Sequence, residues 1–243
     1  MIEVGLLVGL GALIGGIVSG LAGFGFGLAA LGLWLHVIEP SSAASLVALC
    51  SVSAHLNTVK KVWPSIDLQL VWPIVAGGVI GVPVGTLLVA MVEPSAFRQA
   101  VGVFLIGFAT LLLAARSLPR VTWGGRYADG GVGFISGIFG GLAGLSGPAL
   151  TLWVQFRDWG KTQQRGTFQG FNMAIMLLVL LAHIAMGLVD RTVLTMALVS
   201  VPCTLVGAAI GHRIYERADD RRYRAVVLSL ILLSGLTLVL STG

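Results

Sequence analysis

From residue 6 to residue 240 the chain is a succession of apolar runs, interrupted only briefly by polar residues at 40–42, 60–67, 93–98 and 213–224. A helix needs roughly 20 apolar residues to cross a bilayer, and most of these runs reach that length. The pattern predicts an all-α polytopic membrane protein with full spans at 42–59, 68–90, 98–115, 166–186, 192–211 and 225–241.

Two stretches break the rule of one run, one span. Residues 4–37 are apolar for too long to be a single span, and Gly20, Gly23, Gly25 and Gly27 cluster in their middle. Residues 130–156 do the same with Gly137, Gly140, Gly141, Gly144 and Gly147, followed by Pro148, a residue suited to start a new helix. Dense glycine inside a membrane helix favours a break where backbone lines a cavity. Each stretch is therefore expected to be a broken-helix hairpin. Its two arms, of about fifteen to twenty residues, suit partial penetration with a break near the midplane, and two complete crossings, giving five passes per half, would leave the same parity.

The hairpins are parts of a duplication. Gly20-Leu21-Ala22-Gly23 recurs as Gly141-Leu142-Ala143-Gly144, Ala44-Ser45 answers Gly166-Thr167, and Ile66-Asp67 answers Val189-Asp190. Gly81 and Gly85 answer Gly207 and Gly211, and Phe97-Arg98 answers Tyr223-Arg224. Residues 1–120 and 121–243 are thus read as two transmembrane repeats, each a hairpin followed by three transmembrane helices.

Charge decides their relative orientation. If each hairpin returns to the face it entered, 13 of the 15 basic residues share one face, and only Arg98 and Arg191 lie opposite. If each hairpin shifts the chain across, the 15 divide 9 to 6. The positive-inside rule selects the first arrangement, which makes the repeats inverted and puts both termini outside a cytoplasmic (inner) membrane.

Composition agrees. The 243 residues are 56% hydrophobic and 10% charged, with mean hydropathy +0.97, which excludes a soluble globular domain. The net charge of +5 belongs to short loops at the membrane edge, so it reflects topology in a lipid bilayer and not a nucleic-acid partner. The opening Met-Ile-Glu-Val-Gly has no basic n-region, and the N-terminus is expected to be retained. Cys50 and Cys203 sit in apolar runs without ligand spacing, so neither a disulfide nor a metal site is expected, and no cofactor is implied.

The breaks are where chemistry is expected. The second arms begin at 24–27 and 145–148, so their unpaired N–H groups and positive dipole ends face the protein centre, a setting that binds anions. Gly23, Gly25, Gly27, Gly144 and Gly147 let an oxyanion approach the backbone, and Ser146 adds a hydroxyl. Close helix packing is the competing use of such glycines. The span interiors lack Lys, Arg, Asp and Glu, which disfavours a cation substrate. Ser45, Thr167, Gln169 and Asn172, with Ser53 and Asn57, are the uncharged polar residues that follow each hairpin and complete the candidate site for a small anion. His55 and His183 are titratable groups within apolar runs and candidates for proton coupling.

The paired elements, from Ser19-Gly20-Leu21-Ala22-Gly23 to Gly27 and from Ser136-Gly137 to Ser146-Gly147-Pro148, resemble those of the TauE/SafE sulfite exporter family, as do the Ala44-Ser45 and Gly166-Thr167 pairs and the Asp67 and Asp190 loops. The resemblance spans essentially the whole chain. It implies a permease for a small sulfur-containing anion such as sulfite, sulfoacetate or another organosulfonate. The sequence departs from the family pattern at Leu145-Ser146, where a glycine-richer run is usual. Two other readings compete. Gly144-Leu145-Ser146-Gly147 resembles the serine motif of rhomboid-type intramembrane proteases, with His183 as the partner base, although the first repeat has Gly25 in place of the serine. A passive anion channel would share nearly every feature of the transporter.

Overall fold

The computed structural model describes residues 2–114, 123–157, 159, 161–215, 232 and 236. Among the described residues there is no strand, and nine helices follow in order. They are α1 (Ile2–Ala22), α2 (Phe26–Trp34), α3 (Pro40–Val62), α4 (Leu68–Met91), α5 (Pro94–Ala114), α6 (Gly125–Ala143), α7 (Gly147–Phe156), α8 (Lys161–Ala185) and α9 (Arg191–Tyr215). Five of them carry apolar stretches of 18 to 24 residues, long enough to cross a membrane: α1, α4, α5, α8 and α9. The chain is a multi-pass membrane protein. The third span expected in the second half, 225–241, lies outside the described residues.

Acidic side chains set several helix starts. Asp67 accepts the Gln69 N–H at 2.9 Å ahead of α4, and Asp190 accepts the Val193 N–H at 2.8 Å at the start of α9. That shared task explains why the two aspartates recur at matching positions. Glu93 does the same for α5, taking the Ser95 hydroxyl and the N–H groups of Ser95 and Ala96. These hydrogen bonds, the Ser95 hydroxyl first, hold its carboxyl below the ordinary glutamate value.

The expected hairpins form, but their arms are unequal. The first arms, α1 and α6, have 21 and 19 residues, while the second arms, α2 and α7, have only 9 and 10. Ten residues of helix rise about 15 Å, half of a bilayer core, so a second arm is too short to cross. The arms differ because the earlier glycines of each run stay helical, and the break comes only after Ala22 and after Ala143.

Those helical glycines are packing surfaces. α1 lies along α9 and α6 along α4, each pair in backbone contact. A Cβ added to Gly133 would sit 1.9 Å from the Ile74 carbonyl oxygen, and one added to Gly81 2.1 Å from that of Phe134. In the other pair, a Cβ at Gly207 would sit 2.3 Å from the Leu13 oxygen and one at Gly211 2.2 Å from the Ile17 oxygen. No side chain fits at such distances. For Gly20, Gly81, Gly85, Gly137, Gly141, Gly207 and Gly211 the close-packing use is therefore the one the structure displays.

α3 and α8 lie side by side at the centre, α3 also touching α9 and α8 also touching α4. One buried cluster surrounds Trp34, Leu46 and Leu105, and another surrounds Ile74, Phe171 and Ile175. Large apolar side chains such as Ile80, Val103 and Leu198 point outward, the inversion expected where lipid is the solvent.

Candidate functional site

The two breaks are built from glycine in the left-handed region. Gly23 and Gly25 have φ of 76° and 88°, and Gly144 has φ of 68°. The helix ends they leave are closed on the carbonyl side: Gly23 N–H bonds the Ser19 oxygen at 2.8 Å, and Gly144 and Leu145 N–H bond the Gly140 and Phe139 oxygens at 2.7 and 3.1 Å. The helices that follow start open. Neither α2 nor α7 has a side chain capping its N-terminus, so the N–H groups of their first turns remain available, except at Pro148, which has none.

The breaks meet. A Cβ at Gly27 would lie 3.0 Å from the Gly144 carbonyl oxygen, and one at Gly147 would lie 2.7 Å from the Phe24 ring. Between them is a cleft lined by Ser19, Phe24, Gly25, Gly27, Ser51, His55, Gly144, Ser146, Gly147, Asn172 and Met176. Its free central volume is ≈ 10 Å³, room for about one water. No Asp, Glu, Lys or Arg lines it.

One side chain in the cleft has unused hydrogen-bonding capacity of a defined kind. The Ser146 hydroxyl donates to Asn172 Oδ1 at 2.5 Å, which fixes the orientation of the amide. Asn172 Nδ2 then has no partner although the residue is 3% exposed. A buried amide nitrogen carries two donors, and leaving them unmade is costly unless a ligand takes them.

Of the residues singled out in the sequence, Gly25, Gly27, Gly144, Ser146, Gly147, Asn172 and His55 come together here. Gly23 and Gln169 stand beside the cleft, with a Gly23 Cβ position 3.1 Å from Gln169 Cγ, and Gln169 Oε1 is buried without a partner. Ser45 and Thr167 lie outside the lining. Ser45 Oγ lies 2.9 Å from both the Ser41 carbonyl and His183 Nδ1, which compete for its one proton, and Thr167 is wholly buried with an unpartnered hydroxyl. Ser53 bonds the Leu49 carbonyl of its own helix at 2.9 Å. The Asn57 side chain lies outside those described.

His183 is likewise outside the cleft. Its Nε2 is 3.0 Å from the Gly141 carbonyl, which only accepts, so Nε2 carries the proton and Nδ1 is an acceptor for the Ser45 hydroxyl. The ring ties α8 to α3 and α6. The serine–histidine pair that a rhomboid-type protease requires is not assembled: Ser146 faces Asn172, and both ring nitrogens of His183 are taken. Ser19, Ser51, Phe24 and Met176 join the lining without having been singled out as site residues. Ser51 and His55 are four apart on α3, a spacing that puts them on one face.

A charged cluster closes the far end of the second hairpin. Asp129 of α6 receives the Arg157 guanidinium at 3.0 Å and Trp153 Nε1 at 2.7 Å; Arg157 also reaches the Gly125 carbonyl at 3.1 Å. Arg157 lies 4.7 Å over the Trp153 ring. Cys50 donates to Ser200 Oγ at 3.3 Å, and both cysteines are free thiols. Among the described residues no group of three His, Cys, Asp or Glu side chains is placed to hold a metal ion.

Apolar helices of membrane-crossing length around a charge-free cleft define a multi-pass membrane protein. Comparison with protein families agrees with that class. The chain belongs to the sulfite exporter TauE/SafE family, whose model matches residues 7–238. It is accordingly a membrane permease of the sulfite-exporter type, with a small anionic substrate and the lipid bilayer as its partners, and its family are transporters and not enzymes. Comparison with curated proteins gave no match, and neither did comparison with solved structures.

Proposed function

We propose that the protein is a secondary transporter of a small sulfur-containing anion, such as sulfite, sulfoacetate or another organosulfonate, held between the two helix breaks. The observation that carries this is the convergence of three neutral donor groups on one buried cleft: the open N-termini of α2 and α7 and the unpartnered amide of Asn172. N–H dipoles of that kind stabilise negative charge without needing a counter-ion.

Alternating access fits the cleft's small volume, because the anion enters only when the elements around the breaks part. An inverted repeat supplies the moving parts. It is supported by the exchange of packing partners between halves: the first arm of each hairpin lies on the span that precedes the last one of the other half, α1 on α9 and α6 on α4. The charge division supports both termini outside a cytoplasmic membrane, with the hairpins entering from opposite faces.

Asn172→Ala tests the site. Loss of a hydrogen bond to a charged ligand costs about 1.5–3 kcal/mol, so affinity for sulfite or methanesulfonate should fall about ten- to a hundredfold while the protein stays folded. Unchanged affinity in Asn172→Ala, with uptake or efflux also unchanged in proteoliposomes, would place the anion elsewhere.

A further inference from the structure

A monoanion and a dianion make different demands on a buried site. The penalty for placing charge in a low-dielectric interior grows with the square of the charge, so a dianion costs about four times as much to bury. Arginine or lysine ordinarily offsets such a charge, and this cleft has neither. Its donors are the open ends of α2 and α7 and the Asn172 amide nitrogen, 3% exposed and without a partner. All are neutral.

The lining also contains acceptors. The Gly144 carbonyl faces Gly27 at the junction of the breaks, and Ser19 on α1 and Ser51 on α3 present hydroxyl oxygens. A protonated oxyanion finds places there for its O–H, whereas the extra negative charge of a fully ionised one is repelled. The elements around the cleft are α1, α2, α3, α7, α8 and the two breaks; His55 on α3 is the one titratable side chain they contribute to its lining.

We infer that the cleft selects its substrate by charge, taking singly charged oxyanions, namely sulfonates without a second ionised group and hydrogen sulfite, and rejecting doubly charged sulfite, sulfate and ionised sulfoacetate, which narrows the substrates proposed above. The inference rests on the cleft being the anion site and adds the charge state to it. It makes the protonation state of the ligand, and not that of the protein, the source of pH dependence for sulfite.

Calorimetric titration of the full chain in lipid nanodiscs with methanesulfonate, sulfite and sulfate tests this. The range is about pH 5 to 8, the window in which an ordinary imidazole changes charge. Methanesulfonate keeps one charge throughout and should bind equally well across the range. Sulfite should weaken by about tenfold per pH unit once hydrogen sulfite gives up its proton, the slope for one bound proton. Sulfate should bind roughly a hundredfold more weakly than methanesulfonate. Sulfate, or fully ionised sulfite, binding as tightly as methanesulfonate overturns charge selection while leaving the site in place. Methanesulfonate that weakens with rising pH in the wild type and not in His55→Gln also overturns it, by showing that an imidazolium supplies the charge. Binding of all three that ignores Asn172→Ala, or no binding at all, removes the cleft as the anion site and the inference with it.

Discussion

Hairpin α1–α2 closes its open end with one neutral hydrogen bond, from Trp34 Nε1 to the Val8 carbonyl at 3.1 Å. Hairpin α6–α7 closes the matching end with an Arg157–Asp129 ion pair at 3.0 Å and a Trp153 indole donating to the same carboxylate. The breaks differ as well: the first uses two left-handed glycines and presents no polar side chain, whereas the second uses one and places Ser146 where the first has Gly25. What the two share is backbone: a long arm, a late break, a short arm with an uncapped start, and glycine faces against a long neighbouring helix. The two hairpins share what the main chain needs for close approach and differ in side-chain chemistry. Among the described residues, most of the buried polar side chains lie in the second half of the chain.

The shared part should be the hardest to disturb. At Gly81 and Gly207 a methyl group would meet a carbonyl oxygen at 2.1 and 2.3 Å, and a helix backbone has little room to yield. Overpacking costs about 1–3 kcal/mol where side chains adjust and more where they cannot, so Gly81→Ala and Gly207→Ala should each lose at least about 3 kcal/mol. Gly131→Ala is the internal control, since nothing lies within 4 Å of its added Cβ and alanine favours helix. Thermal unfolding in detergent should rank Gly131→Ala at or above the wild type and the other two far below, by similar amounts. A large inequality between Gly81→Ala and Gly207→Ala would break the equivalence of the copies.

The charged clasp comes next. Asp129 and Arg157 have side chains only 9% and 12% exposed, and removing one member leaves the other charge unpaired. Such losses run to about 3–5 kcal/mol for fully buried pairs, and about 3 is expected here for Asp129→Asn or Arg157→Gln alone. The double variant makes the second clasp neutral, like the first, and should recover most of the loss. Additive losses in the double variant would show that the two side chains act separately and that the contrast with the neutral clasp is superficial.

Much of this was legible in the sequence, for physical reasons. Membrane spans follow from apolar length, and the breaks followed from glycine density because no other residue takes φ near 80° cheaply. The unequal arms were not legible. A glycine that permits backbone contact and a glycine that ends a helix look alike in a sequence, and only the neighbour distinguishes Gly20, against Ala208, from Gly23, beside Gln169. For the same reason Ser45 and Ser146 both read as site hydroxyls, yet one is turned towards His183 and the other towards Asn172. Those partners lie 138 and 26 residues away in the chain, separations that no local pattern encodes.

The smallest effect is expected where the two breaks differ by one atom group. Ser146→Gly gives the second hairpin the residue of the first. In the structure the hydroxyl serves Asn172 Oδ1 and so sets which edge of the amide faces the cleft. Without it the amide is free to turn over, and a bound anion meets the correct donors only part of the time. The loss is that of one neutral hydrogen bond, about 0.5–1.5 kcal/mol, or up to about tenfold in affinity for methanesulfonate. Ser146→Ala should match it. Combining either with Asn172→Ala should add nothing, because the hydroxyl acts only through the amide it orients. His183→Gln, which disturbs the Ser45 and Gly141 contacts, should lower stability and leave affinity within about twofold, since it touches no residue of the cleft except the chain leading to Gly144. A Ser146 that acted as a nucleophile with His183 would behave otherwise: each single change would abolish activity, by orders of magnitude, and neither effect would depend on Asn172.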